Sequence, residues 1–381
     1  MSTARNAFAA DLARTRAPLA LARTLPAEAY VSEEIYRLEQ AAVFAASWLC
    51  VGRDADLAGA GDCIVRELAG DSVVILRGGD GALRAFFNVC RHRGSRLVDQ
   101  PSARGLPRIL CPYHAWSYNL DGSIQNAPGM GAAFDRGAHA LRGARAAVHE
   151  GFVFVNLDAS APPLADALAD LPDLTRYRIP DLVCARRTEY DVAANWKLIC
   201  ENYSECYHCG NAHPQLSRLS DLIARSDRPQ ESGGCFNGGP MRLRDGITTM
   251  SMSGQSRTPA IPGLSLEDSR HVHYYVIYPN LLLSPHPDYV LTHTVWPLDA
   301  GHSRVICEWL YPRAAVDAAD FDPADVVDFW DLTNRQDWIL CERTQLGARS
   351  RGFRPGPYQE AEDCVHQFDR WYAARLTPHL A

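Results

Sequence analysis

The sequence contains no apolar run long enough to cross a bilayer, so a helical membrane role is not expected. Its first residues lack the continuous apolar core of a secretory leader, because Asp11, Arg14 and Arg16 interrupt the stretch where it would lie. There is no run of Lys and Arg, and the formal charge of −7 over 381 residues is mildly acidic. Nucleic acid is therefore not an expected partner. Internal repeats and low-complexity tracts are also missing, and the Ala-rich patches read as helix. Cysteine is not scarce, at 12 residues. In a chain of this length, with several inside metal-type motifs, these cysteines do not resemble a secreted disulfide scaffold. What remains is a cytoplasmic protein, long enough for two domains and a sizeable core.

The chain is organised around residues 195–213, Asn-Trp-Lys-Leu-Ile-Cys-Glu-Asn-Tyr-Ser-Glu-Cys-Tyr-His-Cys-Gly-Asn-Ala-His. Trp196, Ile199, Tyr203 and Cys206 recur at helical spacing, and neither Pro nor Gly interrupts before Gly210, which predicts one helix running out into a turn. Glu201, Glu205 and His208 then share one side of it. His213 follows past Gly210 and just before Pro214, where the helix must end. Two histidines with acidic neighbours supply two ligands for a divalent metal, and a third, a carboxylate, must come from elsewhere. Two His and one carboxylate on one face of an iron leave positions open for oxygen and substrate. The alternative is a helix end whose histidines are merely hydrogen-bonded.

About a hundred residues earlier lie Cys90-Arg91-His92-Arg93-Gly94 and Cys111-Pro112-Tyr113-His114-Ala115-Trp116. Cys-x-His followed by Cys-x2-His matches the ligand set of a Rieske [2Fe–2S] centre, with two Cys on one iron and two His on the other. A tetrahedral Cys2His2 zinc site is the competing reading. Zinc fingers usually pair like with like, however, whereas here each loop carries one Cys and one His. Gly94 and Pro112 suit tight loops around a cluster.

With both motifs in view, the chain resembles the large (alpha) subunit of the Rieske non-heme iron oxygenases, from about Ile35 to its C-terminus. Within that family it looks most like the glycine-betaine, choline and proline-betaine monooxygenases, through Glu-Asn-Tyr-x-Glu-x-Tyr-His-x4-His and the stretch Pro285–Pro297. The resemblance implies an α+β fold: a small antiparallel β Rieske domain plus a catalytic domain of antiparallel sheet covered by helices. The expected division is an N-terminal helical segment, 1–45, packing on the catalytic domain; a Rieske domain, 46–160; and a catalytic mononuclear iron domain, 161–381. Cys90, His92, Cys111 and His114 would hold the cluster, their histidines at an exposed tip. Ser95 stands where respiratory-chain Rieske proteins carry an extra disulfide cysteine, which resembles the oxygenase branch.

The resemblance also assigns His208, His213 and Asp337 to Fe(II), Asp337 because Gln336–Gln345 resembles the family's carboxylate-ligand helix. Asp331, Asp328 and Glu342 are the alternatives on that stretch. Glu205 occupies the slot of a carboxylate that bridges an iron-ligand His and a cluster His of a neighbouring subunit. Glu201 is a weaker alternative, and Asn202 is a polar group near the iron. Glu rather than Asp in that slot looks like the branch acting on quaternary ammonium compounds. The expected activity uses O2 to hydroxylate an N-methyl group of such a small molecule, releasing formaldehyde. Ring hydroxylation or O-demethylation of an aromatic acid is the alternative. Electrons would come from NADH or NADPH through a flavin/iron-sulfur reductase, and transfer between subunits implies a homotrimer. A quaternary ammonium needs aromatic faces, and Tyr203, Tyr207, Phe236, Tyr275, Tyr289 and Trp296 are candidates. Arg242 and Arg244 are candidates for holding a substrate carboxylate.

Between the motifs, short β-rich runs at 64–68, 72–77, 83–89, 109–110, 116–120 and 153–157 are separated by Gly-Asp turns. Ser32-Glu33-Glu34-Ile35 reads as a capped helix start. A helix is predicted around 164–177, a strand around 185–192 and three strands at 271–278, 289–297 and 303–311, with helix from about 322 to 376. The stretch 214–270, rich in Gly, Pro, Ser and Asp, is expected to be irregular, a lid or channel wall.

Overall fold

A computed structural model describes residues 3–220 and 230–380. Part of the stretch expected to be irregular, residues 221–229, lies outside them. The chain divides into two compact units, one made of residues 44–166 and the other of residues 1–43 with 167–381.

The 44–166 unit is built mainly of β-strands. Its strands are β1 (Leu49–Arg53), β2 (Cys63–Leu68), β3 (Asp71–Arg77), β4 (Leu83–Phe87), β5 (Ser102–Ala103), β6 (Ile109–Leu110), β7 (Ser117–Tyr118), β8 (Ile124–Asn126), β9 (Gly143–His149) and β10 (Phe152–Asn156). Seven form one sheet in the order β1-β10-β9-β4-β3-β2-β5, and β6-β7-β8 form a small second sheet. Alternation drives this: Val74, Leu76, Val65 and Cys63 point inward and pack with Trp116, Tyr118 and Ile109 in one buried cluster. The Asp121-Gly122 turn needs its glycine, since φ there is +85° and a Cβ would sit 2.5 Å from the Phe86 ring.

The other unit is built on seven antiparallel strands in the order β11-β17-β16-β15-β14-β13-β12. They are β11 (Leu182–Val192), β12 (Glu231–Gly233), β13 (Phe236–Arg242), β14 (His271–Ile277), β15 (Leu281–Pro285), β16 (Val290–Asp299) and β17 (His302–Pro312). Three of these, β12, β13 and β15, escape the sequence reading. β13 runs through Gly238-Gly239-Pro240, which no propensity argument assigns to a strand. Gly238 is nevertheless required there, because a Cβ would fall 1.9 Å from the Tyr274 carbonyl oxygen on β14. The helix expected at 164–177 is a single turn, Leu164–Ala167, followed by short 3-10 turns.

Two helices frame the metal-type residues: Trp196–Tyr203, which leads into the turn bearing His208 and His213, and Ala324–Ala348, which carries Asp337. Asn195 caps the first, its side chain accepting from the Lys197 N–H. The helices are bolted together: Gln345 accepts from the Asn195 N–H at 2.9 Å, and the Cys341 thiol donates to the Leu198 carbonyl at 3.5 Å. Ser32 caps the helix Glu33–Glu39, as the sequence suggests. That helix ends in Glu39, which with Lys197 forms a 2.6 Å ion pair, both side chains fully buried. Trp196 Nε1 and the Tyr372 hydroxyl also donate to Glu39, so its carboxylate is fully engaged. Lys197 is the only lysine in the sequence.

Candidate metal centres and their surroundings

In the 44–166 unit the four sequence-predicted residues converge. The His92 and His114 rings are 4.7 Å apart, and Trp116 stacks on His92 at 4.8 Å. Cys90 and Cys111 are buried, while His92 is exposed. Burial works to raise the Cys111 pKa, but the Tyr113 and His114 N–H groups, Cys90 and Ser95 outweigh it and lower the thiol. The buried Nδ1 of His114 has no partner among the described residues. Two adjacent thiols, one with a lowered pKa, and two adjacent imidazoles, one with an unpartnered ring nitrogen, fit a [2Fe–2S] cluster. The sequence reading misses Tyr118. Its hydroxyl accepts from the Arg91 N–H at 2.9 Å and lies within hydrogen-bond reach of Cys90 Sγ, 3.3 Å away.

In the other unit the predicted continuous helix is broken. It stops at Tyr203, where the Ser204 hydroxyl turns back to the Cys200 carbonyl at 2.7 Å, and a one-turn helix Cys209–Ala212 follows. Cys206 and Cys209 form a disulfide that closes the intervening turn. Glu201 consequently does not share a side with Glu205 and His208. It stays in the core, accepting from the Tyr30 hydroxyl at 2.9 Å. Burial pushes its pKa up to about 7, and burial also raises its neighbour Asp369.

His208, His213 and Asp337 meet. Nε2 of His208 lies 3.2 Å from Nε2 of His213, and Asp337 Oδ1 lies 3.2 Å and 2.9 Å from the two. Three donors bound to one ion at right angles, with bonds of roughly 2.1 Å, would be about 3 Å apart. The observed spacing therefore fits one face of a metal ion. Both outer nitrogens are held in place: His208 Nδ1 donates to Glu205 Oε1 at 2.5 Å, and His213 Nδ1 donates to Gln336 Oε1 at 2.8 Å. Each imidazole thereby turns the Nε2 lone pair toward the centre. Gln336 is the residue missed here, although it directly precedes Asp337.

Burial works to lower the His208 pKa, but hydrogen bonds to Asp337 and Glu205 outweigh it and raise it to about 9. Burial likewise opposes ionisation of Asp337, and the two histidines overcome it and lower its pKa. Asn202 Nδ2 is 3.5 Å from His208 Nε2. The three carboxylates considered as alternatives face elsewhere. Asp331 accepts from Tyr190 and pairs with Arg335, Glu342 accepts from the Ala193 N–H, and Asp328 is exposed.

Of the six aromatics named from sequence, Tyr203 and Tyr289 belong to a buried ring cluster next to these ligands, with Tyr274, His286, His293, Trp330 and Trp338. Phe236 and Tyr275 pack on each other, with the Tyr275 hydroxyl on Glu231; Trp296 is half-buried and Tyr207 exposed. Arg242 is exposed beside Asp245, and Arg244 donates to the Ser220 carbonyl. Neither reaches this cluster through any contact among the described residues.

Residues 47–142 match the Rieske [2Fe-2S] domain, and residues 180–378 match the ring hydroxylating alpha subunit (catalytic domain). The glycine betaine monooxygenase oxygenase subunit of Pseudomonas aeruginosa (strain UCBPP-PA14) is 30% identical over 94% of this chain and 90% of its own length. The carnitine monooxygenase oxygenase subunit of Escherichia coli (strain K12) is 42% identical over 51% of this chain and 53% of its own. Among solved structures, the quaternary ammonium Rieske monooxygenase CntA in complex with L-carnitine superposes with a TM-score of 0.75 at 27% identity. That match covers 96% of this chain and 97% of the other.

Proposed function

The chain belongs to the Rieske-type ring-hydroxylating alpha-subunit family, and from that membership we propose that it is an oxygenase component acting on a quaternary ammonium compound. The reaction is hydroxylation of an N-methyl group, giving a carbinolamine that collapses to formaldehyde and the demethylated amine. The observation that carries this reading is three donor atoms 2.9–3.2 Å apart beside a buried aromatic cluster. When bound, the cluster supplies single electrons and the iron supplies O2 activation.

His208, His213 and Asp337 would hold the iron. Glu205 and Gln336 hold the protons on the outer nitrogens of the two histidines, which keeps both Nε2 atoms turned toward the site. Glu205 also joins His208 to a cluster histidine of a neighbouring subunit, which makes a homotrimer the working unit. Ring faces such as those of Tyr203 and Trp338 attract the substrate cation, which donates no conventional hydrogen bond. A reductase in the cytoplasm supplies electrons from NADH or NADPH.

The test is formaldehyde release by the iron-loaded protein with NADH and a generic reductase. The panel is glycine betaine, proline betaine, choline, carnitine, methoxylated aromatics and simple aromatic acids. Formaldehyde from a quaternary ammonium compound is the expected outcome. Formaldehyde only from methoxylated aromatics would move the activity to O-demethylation, and oxygen uptake only with aromatic acids would move it to ring hydroxylation.

A further inference from the structure

Within the buried ring cluster, some polar atoms are paired. The Tyr203 hydroxyl meets Ser284 at 2.5 Å, and Trp330 Nε1 donates to the Tyr289 hydroxyl, which donates to the Met250 carbonyl at 2.8 Å. Five atoms are not. Both ring nitrogens of His286, the Tyr274 hydroxyl, Nδ1 of His293 and Nε1 of Trp338 are buried without a partner among the described residues. His286 and His293 are 0% and 2% exposed. Each such atom would cost about 1–3 kcal/mol if it stayed unpaired, so five in one contiguous cluster point to a ligand. The contiguity is direct: ring centres run His286–Tyr274 at 6.3 Å, Tyr274–Tyr203 at 5.9 Å and Tyr203–His293 at 6.1 Å.

The protons on this wall can be assigned. Tyr190 donates to Asp331 at 2.8 Å, so its oxygen accepts from Asn334 Nδ2, which turns Asn334 Oδ1 toward His293. His293 Nε2 must then carry the hydrogen, leaving Nδ1 as a bare acceptor. His293 is the member nearest the iron ligands, since Asn334 lies one turn before Asp337 and the Trp338 ring is 6.5 Å away. Further along, Tyr274 and His286 each offer a hydrogen to donate. None of the three takes part in an ion pair or cation contact among the described residues. Burial also holds both histidines below the ordinary imidazole range, hence neutral. The nearby carboxylate of Asp288 is already taken by Thr249 at 2.6 Å and Ser256 at 2.5 Å.

We propose that Tyr274 and His286 bind the carboxylate of a zwitterionic substrate whose ammonium group lies toward His293 and the iron. The inference rests on the quaternary-ammonium reading above and narrows it to betaines. A carboxylate held only by neutral donors is costly to bury unless its counter-charge travels with it. A betaine meets that condition and an aromatic carboxylate does not. The wall also has matching polarity: an acceptor faces the N-methyl end, whose hydrogens carry the positive charge, and donors face the carboxylate end.

The experiment measures equilibrium binding of glycine betaine, carnitine, choline and benzoate to cluster-loaded, iron-loaded protein without reductant, alongside thermal melting. The variants are Tyr274→Phe and His286→Phe, which keep a ring and remove the polar atoms. We expect wild-type protein to bind at least one betaine and to discriminate against benzoate. Each variant should weaken that betaine about ten- to a hundredfold, leave choline within about twofold and melt no lower than wild type. Equal weakening of betaine and choline, unchanged betaine binding, or melting several degrees lower would overturn the assignment; the last would make these atoms part of the folded core. Formaldehyde release by wild type from choline alone would likewise sink the carboxylate role while sparing the proposed function. Release from no quaternary ammonium compound would sink both.

Discussion

At the scale of single residues, the two metal centres differ in how far they could be read. Cys90, His92, Cys111 and His114 fall in two short motifs whose spacing alone points to a cluster. Asp337 is 124 residues from His213 and was assigned only through the family resemblance; the structure brings its carboxylate to 2.9 Å. Tyr118, Gln336, Tyr274, His286 and His293 carried no local signal, because their roles exist only once strands pair and helices pack. Asp337→Asn should lose mononuclear iron, with affinity lower by a hundredfold or more, while the cluster's visible spectrum persists. Metal analysis after dialysis measures this, and full retention of iron would contradict the ligand assignment. The raised His208 pKa gives a second expectation. A metal must displace that proton below about pH 9, so apparent Co(II) affinity of the metal-free site should rise about tenfold per pH unit between pH 7 and 9. Anaerobic Co(II) titrations at pH 7, 8 and 9 would read it, and a flat profile would mean His208 is already neutral.

At the scale of elements, the helix predicted across 195–213 breaks after Tyr203 because Ser204 and the Cys206–Cys209 bridge impose a turn that no periodicity encodes. β13 escaped for the opposite reason, since its glycines are strand residues chosen for close backbone approach. The runs rich in β-branched and aromatic residues were legible as strands, among them Ser72–Arg77 and the stretch from His271 to Ile277. The helix Trp196–Tyr203 is anchored by Lys197 and Glu39, and removing one charge strands the other. Lys197→Met should cost about 3–5 kcal/mol in denaturant unfolding, whereas a loss under 1 kcal/mol would show that Glu39 takes up a proton readily. The neighbouring Glu201 sets a pH dependence. Its pKa is about 7 in the folded chain against 4.5 as the ordinary value, so between those limits the folded state holds a proton that the unfolded state has released. Its contribution is therefore fully present below pH 4.5 and is lost as pH rises toward 7. Relative to wild type, Glu201→Gln should gain stability across that window, by of order 3 kcal/mol. Parallel stability curves for the two proteins would rule this out.

At the scale of the whole molecule, the unit carrying the iron-type residues is assembled from two stretches separated in sequence, 1–43 and 167–381. The interruption is the cluster-type unit. The sequence made the β-rich middle visible by composition, and Ser32 marked a helix start, but nothing local says which unit the first 43 residues join. That is decided by buried partners such as Glu39 and Tyr30, which meet Lys197 and Glu201. The proposed homotrimer predicts three times the chain mass in native mass spectrometry. Dilution into monomers should abolish turnover while preserving the cluster spectrum, and monomers with full activity would exclude transfer between subunits. The solitary lysine has an analytical consequence. Because Lys197 is fully buried, this folded chain offers amine-specific reagents no exposed lysine. Acylation at Lys197, followed by peptide mapping, therefore counts molecules that have opened their innermost layer, and surface attachment through amines must be replaced by another chemistry.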